Sequence, residues 1–253
     1  MNNSGQAVGT SMQQVGPNNM SSRPILWDDT GLHVIAPQTG NARDINESGQ
    51  VVGDYHDPAT GDRKMFLWDS TNGMQHLEDL LPPGSAWNPE GGINNDNGQF
   101  AGYGYLSGET TPKLFFFDPI EGIQDLGYGT EFGTVRAMNN LGVVVGVDVV
   151  YDPIAGRHVK ISFIWDSALG WRDLVTLYSG DGTVVAVDVR DINDLGQAVG
   201  QLNSSHAFLL DQGNIIDLND LLPGGTDWIK LTNSFGINNK MQIVGKQRGQ
   251  VYG

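Results

Sequence analysis

Apolar and polar residues alternate along this chain in a short recurring rhythm. The stretch DINESGQVVG (44–53) sets one apolar residue before a polar turn and two after it, and DINDLGQAVG (191–200) repeats seven of its ten letters. The shared core, Ile/Met-Asn-x-x-Gly-x-x-Val/Ala-Gly, recurs six times, starting near residues 1, 45, 93, 138, 192 and 237. The third copy carries one extra residue, and the sixth has Met241 in place of glycine. An apolar run ending in Asp follows each of the first five copies: ILWD (25–28), FLWD (66–69), FFFD (115–118), FIWD (163–166) and FLLD (208–211). A shorter strand-like segment comes next, as in MQHLEDL (74–80) and IIDLNDL (215–221). No helical period persists beyond about two turns.

The letters of the motif have a physical reading. Asn, two polar residues and Gly fit a type I turn closed by a left-handed residue. Asn accepts hydrogen bonds from nearby backbone amides, and Gly takes positive φ without Cβ strain. Every repeated Asn and Gly is therefore read as part of a hairpin turn. Each unit supplies four short antiparallel strands, and repetition at this period predicts an all-β fold, a β-propeller of five or six four-stranded blades, with six favoured. One propeller domain over residues 1–253 is expected. Trp27, Trp68, Phe117, Trp165 and Leu210 hold equivalent positions and are expected between blades, each followed by an Asp that begins the next turn.

Composition narrows the function. Glycine is abundant, 35 residues scattered as turns would be, and the hydrophobic share of 39% can build a core. A net charge of −15 with 14 Lys and Arg that form no run excludes a nucleic-acid binder, whose affinity comes from cations neutralising phosphates. Cysteine is absent, which removes disulfides, thiolate metal sites and Cys nucleophiles. No run of 18 apolar residues occurs, so no membrane insertion is expected. MNNSGQAVGT lacks a charged and apolar signal segment, so an exported parent implies a mature or trimmed form.

The motif INDLGQAVG, followed by HAFLL (206–210) and DLNDLLPGG (217–225), resembles the HAF-repeat proteins, a bacterial family of predicted extracellular repeats named for His-Ala-Phe. The fifth unit carries those letters as His206, Ala207 and Phe208; the other units are looser. The resemblance implies an exported or surface protein and carries no catalytic motif.

Candidate chemistry is sparse. Arg43, Arg136 and Arg190 occupy one repeat position on the strand before the turn, where guanidinium forks suit an anion at a channel mouth; pairing with an Asp of a neighbouring blade is the plainer alternative. Trp87 and Trp228 sit in matching insertions, DLLPPGSAW (79–87) and DLLPGGTDW (220–228), and either stack on sugar rings or plug the blade. Asp54, Asp57 and Asp62 share one loop without EF-hand spacing, so a turn is preferred to a metal site. No nucleophile elbow, P-loop or dinucleotide fingerprint occurs, and no cofactor is implied. The reading is a non-catalytic, extracellular, monomeric module binding a glycan or a surface protein. The alternative is a glycoside hydrolase or lyase using channel carboxylates, with Asp44 and Asp191 the first pair to inspect.

Overall fold

Repeat boundaries in the sequence become sheet boundaries in the computed structural model, which describes residues 1–17, 19–126, 133–152, 156–174, 187–203, 205–223 and 230–248. The chain divides into two compact units, Met1–Gly129 and Thr130–Gly253. Each holds three antiparallel sheets among the described residues.

The first unit opens with a three-stranded sheet, β1 (Ala7–Gly16), β2 (Asn19–Asp28) and β3 (Gly31–Val34). Two four-stranded sheets follow. One is β4 (Gly40–Ile45), β5 (Val51–His56), β6 (Arg63–Asp69) and β7 (Gly73–His76), after which comes a single helical turn, α1 (Leu77–Leu80). The other is β8 (Trp87–Asn94), β9 (Phe100–Leu106), β10 (Lys113–Asp118) and β11 (Gly122–Asp125). The second unit runs β12 (Thr134–Met138), β13 (Val144–Asp152), β14 (Arg157–Asp166) and β15 (Gly170–Asp173). Next come β16 (Val187–Ile192), β17 (Ala198–Leu202), β18 (His206–Asp211) and β19 (Asn214–Asp217), and then a two-stranded sheet, β20 (Lys230–Ile237) with β21 (Ile243–Arg248). Four sheets thus carry the four strands expected of each repeat, and the first and last are shorter.

The turns form as the motif requires. Asn46 donates its N–H to Gln50 O at 3.1 Å and Gly49 donates to Asn46 O at 3.1 Å, with Gly49 at φ 76°. Met241 takes the same left-handed place in the sixth copy at φ 59°. In the third copy the turn itself has ordinary length: Asn95 plays the part of Asn46, Gly98 N–H bonds Asn95 O, and the extra residue lies upstream on β8. The Asp ending each apolar run does start the next turn, as when Asp118 Oδ1 accepts from the N–H of Ile120 and Glu121 and Asp166 Oδ1 from Ala168.

Core residues sit between successive sheets of a unit. Leu26, Ile35, Ile45, Val51, Tyr55 and Phe66 fill the space between the first two sheets. Met65, Leu77, Leu81, Trp87, Phe115 and Phe117 fill that between the second and third. Val189, Ile192, Ala198, Phe208 and Leu210 do so in the second unit. The equivalent aromatic positions therefore pack as expected at Trp68, Phe117 and Leu210, and Trp165 is only 6% exposed. Trp27 departs from the expectation at 54% exposure.

Candidate functional site

Arg43, Arg136 and Arg190 share a feature that the sequence did not announce: each is the extra residue of a β-bulge on its strand. A bulge re-aims the side chain it inserts. Arg43 Nε reaches the fully buried Asp54 at 2.5 Å, and Arg63 Nε approaches the same carboxylate at 3.5 Å. Asn41 Nδ2 donates to Asp54 at 3.0 Å, so this carboxylate is fully occupied. Arg190 donates to Asp188 Oδ2 at 2.8 Å, with Lys160 at 3.0 Å from the other oxygen. Both partners lie on the arginine's own sheet rather than on a neighbouring one. Nε of Arg136 is buried without a hydrogen-bond partner. Arg43 lies in one unit and the other two in the second, so the structure does not describe them as one cluster.

Trp87 is 8% exposed, with its ring 5.6 Å from that of Phe115. It is the plug, and no sugar can stack on a face that the core already covers. Trp228 lies outside the described residues. Asp54 lies on β5 rather than in the loop and pairs with Arg43. Asp57 caps its own turn, accepting from Ala59 N–H at 2.9 Å, while Asp62 is exposed. No metal-holding group of three is found among the described residues.

Asp44 and Asp191 behave alike and structurally. Each accepts the N–H of the next residue and reaches the next sheet of its unit, Asp44 Oδ2 from Asn94 N–H at 3.2 Å and Asp191 Oδ2 from Ile237 N–H at 2.8 Å. Burial pushes the Asp191 carboxyl above its ordinary value, the two backbone N–H bonds opposing. These carboxylates tie sheets together, and their repetition in both units argues against a catalytic pair.

A groove that the sequence did not reveal lies between the first two sheets of the first unit, with a cavity volume of about 680 Å³. Leu26 and Ile35 form its apolar floor, and the half-buried Trp68 lines it. Exposed Asp29 and His33 stand on one side, and Glu47 on the other. Asp28 accepts from the Thr30 hydroxyl at 2.7 Å and lies 3.1 Å from His33 Nε2. Those Thr30 hydrogen bonds hold its carboxyl down at about 2. The rim is thus anionic and rich in hydrogen-bond acceptors over an apolar bed. Trp68 was legible only as a packing residue, because the groove is formed between two sheets and no letter of the motif records it.

A second place missed by sequence is the bulge at Glu90 on β8. Burial pushes the Glu90 carboxyl above its usual range, with Arg63 opposing.

No protein-family model matches the chain, and no curated protein is similar to it. Solved structures are similar. The β-propeller domain of the Trilobed protease from Pyrococcus furiosus, described as having an open velcro topology, aligns over 98% of this chain and 76% of that one, with 9% identity and a TM-score of 0.60. A gluconolactonase from Xanthomonas campestris aligns over 88% of this chain and 75% of that one, with 14% identity and a TM-score of 0.46. A putative gluconolactonase aligns over 91% and 83%, with 11% identity and a TM-score of 0.43. The first likeness shows a fold of β-propeller type and nothing about activity. The other two are too remote to carry an argument.

Proposed function

We propose that this chain is a non-catalytic binding module that recognises a glycan in the groove between its first two sheets. The observation carrying this reading is the groove's composition: an apolar floor of Leu26 and Ile35 and the Trp68 indole, rimmed by Asp28, Asp29, Glu47 and His33. An aromatic ring offers its apolar face to the C–H side of a sugar, while carboxylates accept from its hydroxyls. Asp28, held down at about 2, is unsuited to act as a general acid in this groove. An extracellular setting for such a module rests on the HAF-repeat resemblance alone.

A glycan array, with oligosaccharide turnover measured on the same panel, tests the reading. Binding without turnover is expected, lost in Trp68→Ala and weakened in Asp29→Ala, whose side chain is exposed and outside the core. Trp87→Ala should lower stability and leave binding intact in the folded fraction. An array without hits, or binding indifferent to both groove variants, rejects the proposal.

A further inference from the structure

The groove between the first two sheets is open for a reason internal to the chain. Residues 35–39 join β3 directly to β4, whereas residues 77–86 join β7 to β8 and include α1. That longer connection closes the equivalent place between the second and third sheets. Leu80 and Leu81 pack there with Phe117, and an added Cβ at Gly122 would meet Pro82 at 3.4 Å. Gly73, the counterpart of Gly122 one sheet earlier, would meet nothing within 4 Å. Phe117 is 7% exposed, while Trp68, at the same repeat position, stays half-buried on the groove wall.

Charge in this groove is one-sided. Asp28, Asp29 and Glu47 line it, and none of its lining residues is Lys or Arg. His33 is the only lining side chain able to carry positive charge. Asp28, held at about 2, is ionised throughout the neutral range. Glu47 is anchored by the N–H of Asn3, 3.1 and 3.0 Å from its two oxygens, which fixes its charge at the rim. An anionic saccharide would meet three carboxylates, and a neutral one would leave their charge unanswered. An ammonium is attracted to both kinds of wall: to the carboxylates, more strongly as water is excluded, and to an indole face, the best of the aromatic rings for a cation.

We propose that the groove is specific for a cationic glycan, an oligosaccharide of amino sugars whose amines are free ammonium groups, held over Trp68 with the ammonium groups met by Asp29 and Glu47. The inference rests on the glycan reading above and adds the sign of the ligand's charge. Trp68 supplies the apolar bed, and the carboxylates supply the discrimination against N-acetylated and acidic sugars.

The test is calorimetric titration of the whole chain, at low ionic strength, with a glucosamine oligosaccharide, its fully N-acetylated counterpart of equal length, an oligogalacturonate and oligolysine. The glucosamine oligomer should bind at least about tenfold more tightly than the N-acetylated one, and added salt should erase most of that difference. Oligogalacturonate should not bind. Asp29→Asn and Glu47→Gln keep the side chain's shape and remove one charge, so each should cut the ratio severalfold, whereas a purely structural role would weaken both ligands alike. Should Glu47→Gln unfold through its contact with Asn3, the exposed Asp29→Asn decides. Equal binding of the two oligomers, or a ratio unchanged in Asp29→Asn, overturns the inference and leaves the glycan reading standing. Oligolysine binding as tightly as the glucosamine oligomer also overturns it, because the groove would then read charge without the sugar. Failure of every saccharide to bind rejects the glycan reading and the inference with it.

Discussion

An asparagine side chain carries one acceptor and two donors, and the motif asparagine uses all three kinds of bond at once. Asn46 Oδ1 accepts Gln50 N–H at 2.9 Å inside the turn, while Nδ2 donates to Gln50 Oε1 at 2.8 Å and to the carbonyl of Asn95, on the next sheet, at 3.0 Å. Asn2 does the same toward Asn46 at 3.1 Å, Asn139 toward Asn193 at 3.0 Å, and Asn193 toward Asn238 at 3.1 Å. A ladder of buried amides therefore runs from turn to turn within each unit. Asn46→Ala strands the Gln50 N–H and removes one of the two hydrogen bonds that the Asn95 carbonyl accepts, the other coming from Gly98 N–H, which should cost about 1–3 kcal/mol. Asn46→Asp keeps the turn acceptor but sets a charge against that carbonyl, and should cost more. Thermal midpoints of both variants check the order; equal midpoints would mean that the turn, not the ladder, is what the residue supports. The sequence showed the turn because its letters are adjacent. The ladder stayed hidden because its acceptor is a backbone carbonyl 49 residues away, and a backbone carbonyl leaves no letter. One signal was present: Gln follows the Asn at four residues' distance in five of the six copies, more than a turn alone requires.

The motif glycine works at the level of the sheet. Gly53 lies opposite Phe66, and a Cβ there would meet the ring at 2.6 Å and Asn41 O at 2.1 Å. Gly9, the same letter on β1, lies opposite Ile25 and has nothing within 4 Å of an added Cβ. Gly53→Ala should therefore destabilise by about 2 kcal/mol or more, with the ring or the strand displaced, whereas Gly9→Ala should be near neutral. Chemical denaturation of the two variants measures this, and a similar loss in both would refute the ring-seat argument. Strand identity was legible because each strand is apolar, short and set off by turns. The bulges at Arg43, Arg136 and Arg190 were not, since a bulge is a register shift between two strands and neither sequence alone states it. For the same reason the Asp partners, expected on a neighbouring blade as the plainer alternative to an anion site, turn out for Arg43 and Arg190 to lie on the arginine's own sheet.

Charge acts on the whole molecule through pH. Three contributions carry different signs. Asp28, held at about 2 by Thr30, stabilises the folded chain above its unfolded value of 3.8, as do Asp57, Asp69 and Asp118, lowered by bonds from Ala59, Asn72 and Gln99. That contribution is lost as pH falls through the folded values. Glu90 and Asp191 are raised by burial, so their contribution is full below unfolded values of 4.5 and 3.8 and is lost as pH rises through the folded ones. Repulsion within a chain of net charge −15 also eases as pH approaches the isoelectric point near 4.4. Going down from pH 8 to roughly pH 5, the self-repulsion eases while the first contribution is untouched, and the buried carboxyls add theirs as pH falls through their raised folded values. Below about pH 4 the capped aspartates take up protons and the first contribution collapses. The thermal midpoint should therefore peak near pH 5 and fall steeply on the acid side. Added salt should raise it at pH 8 and change it little at the peak, because screening replaces what protonation has already removed. A midpoint that declines steadily from pH 8 to pH 5 would mean that paired surface charges, not self-repulsion and buried carboxyls, set the stability of this chain.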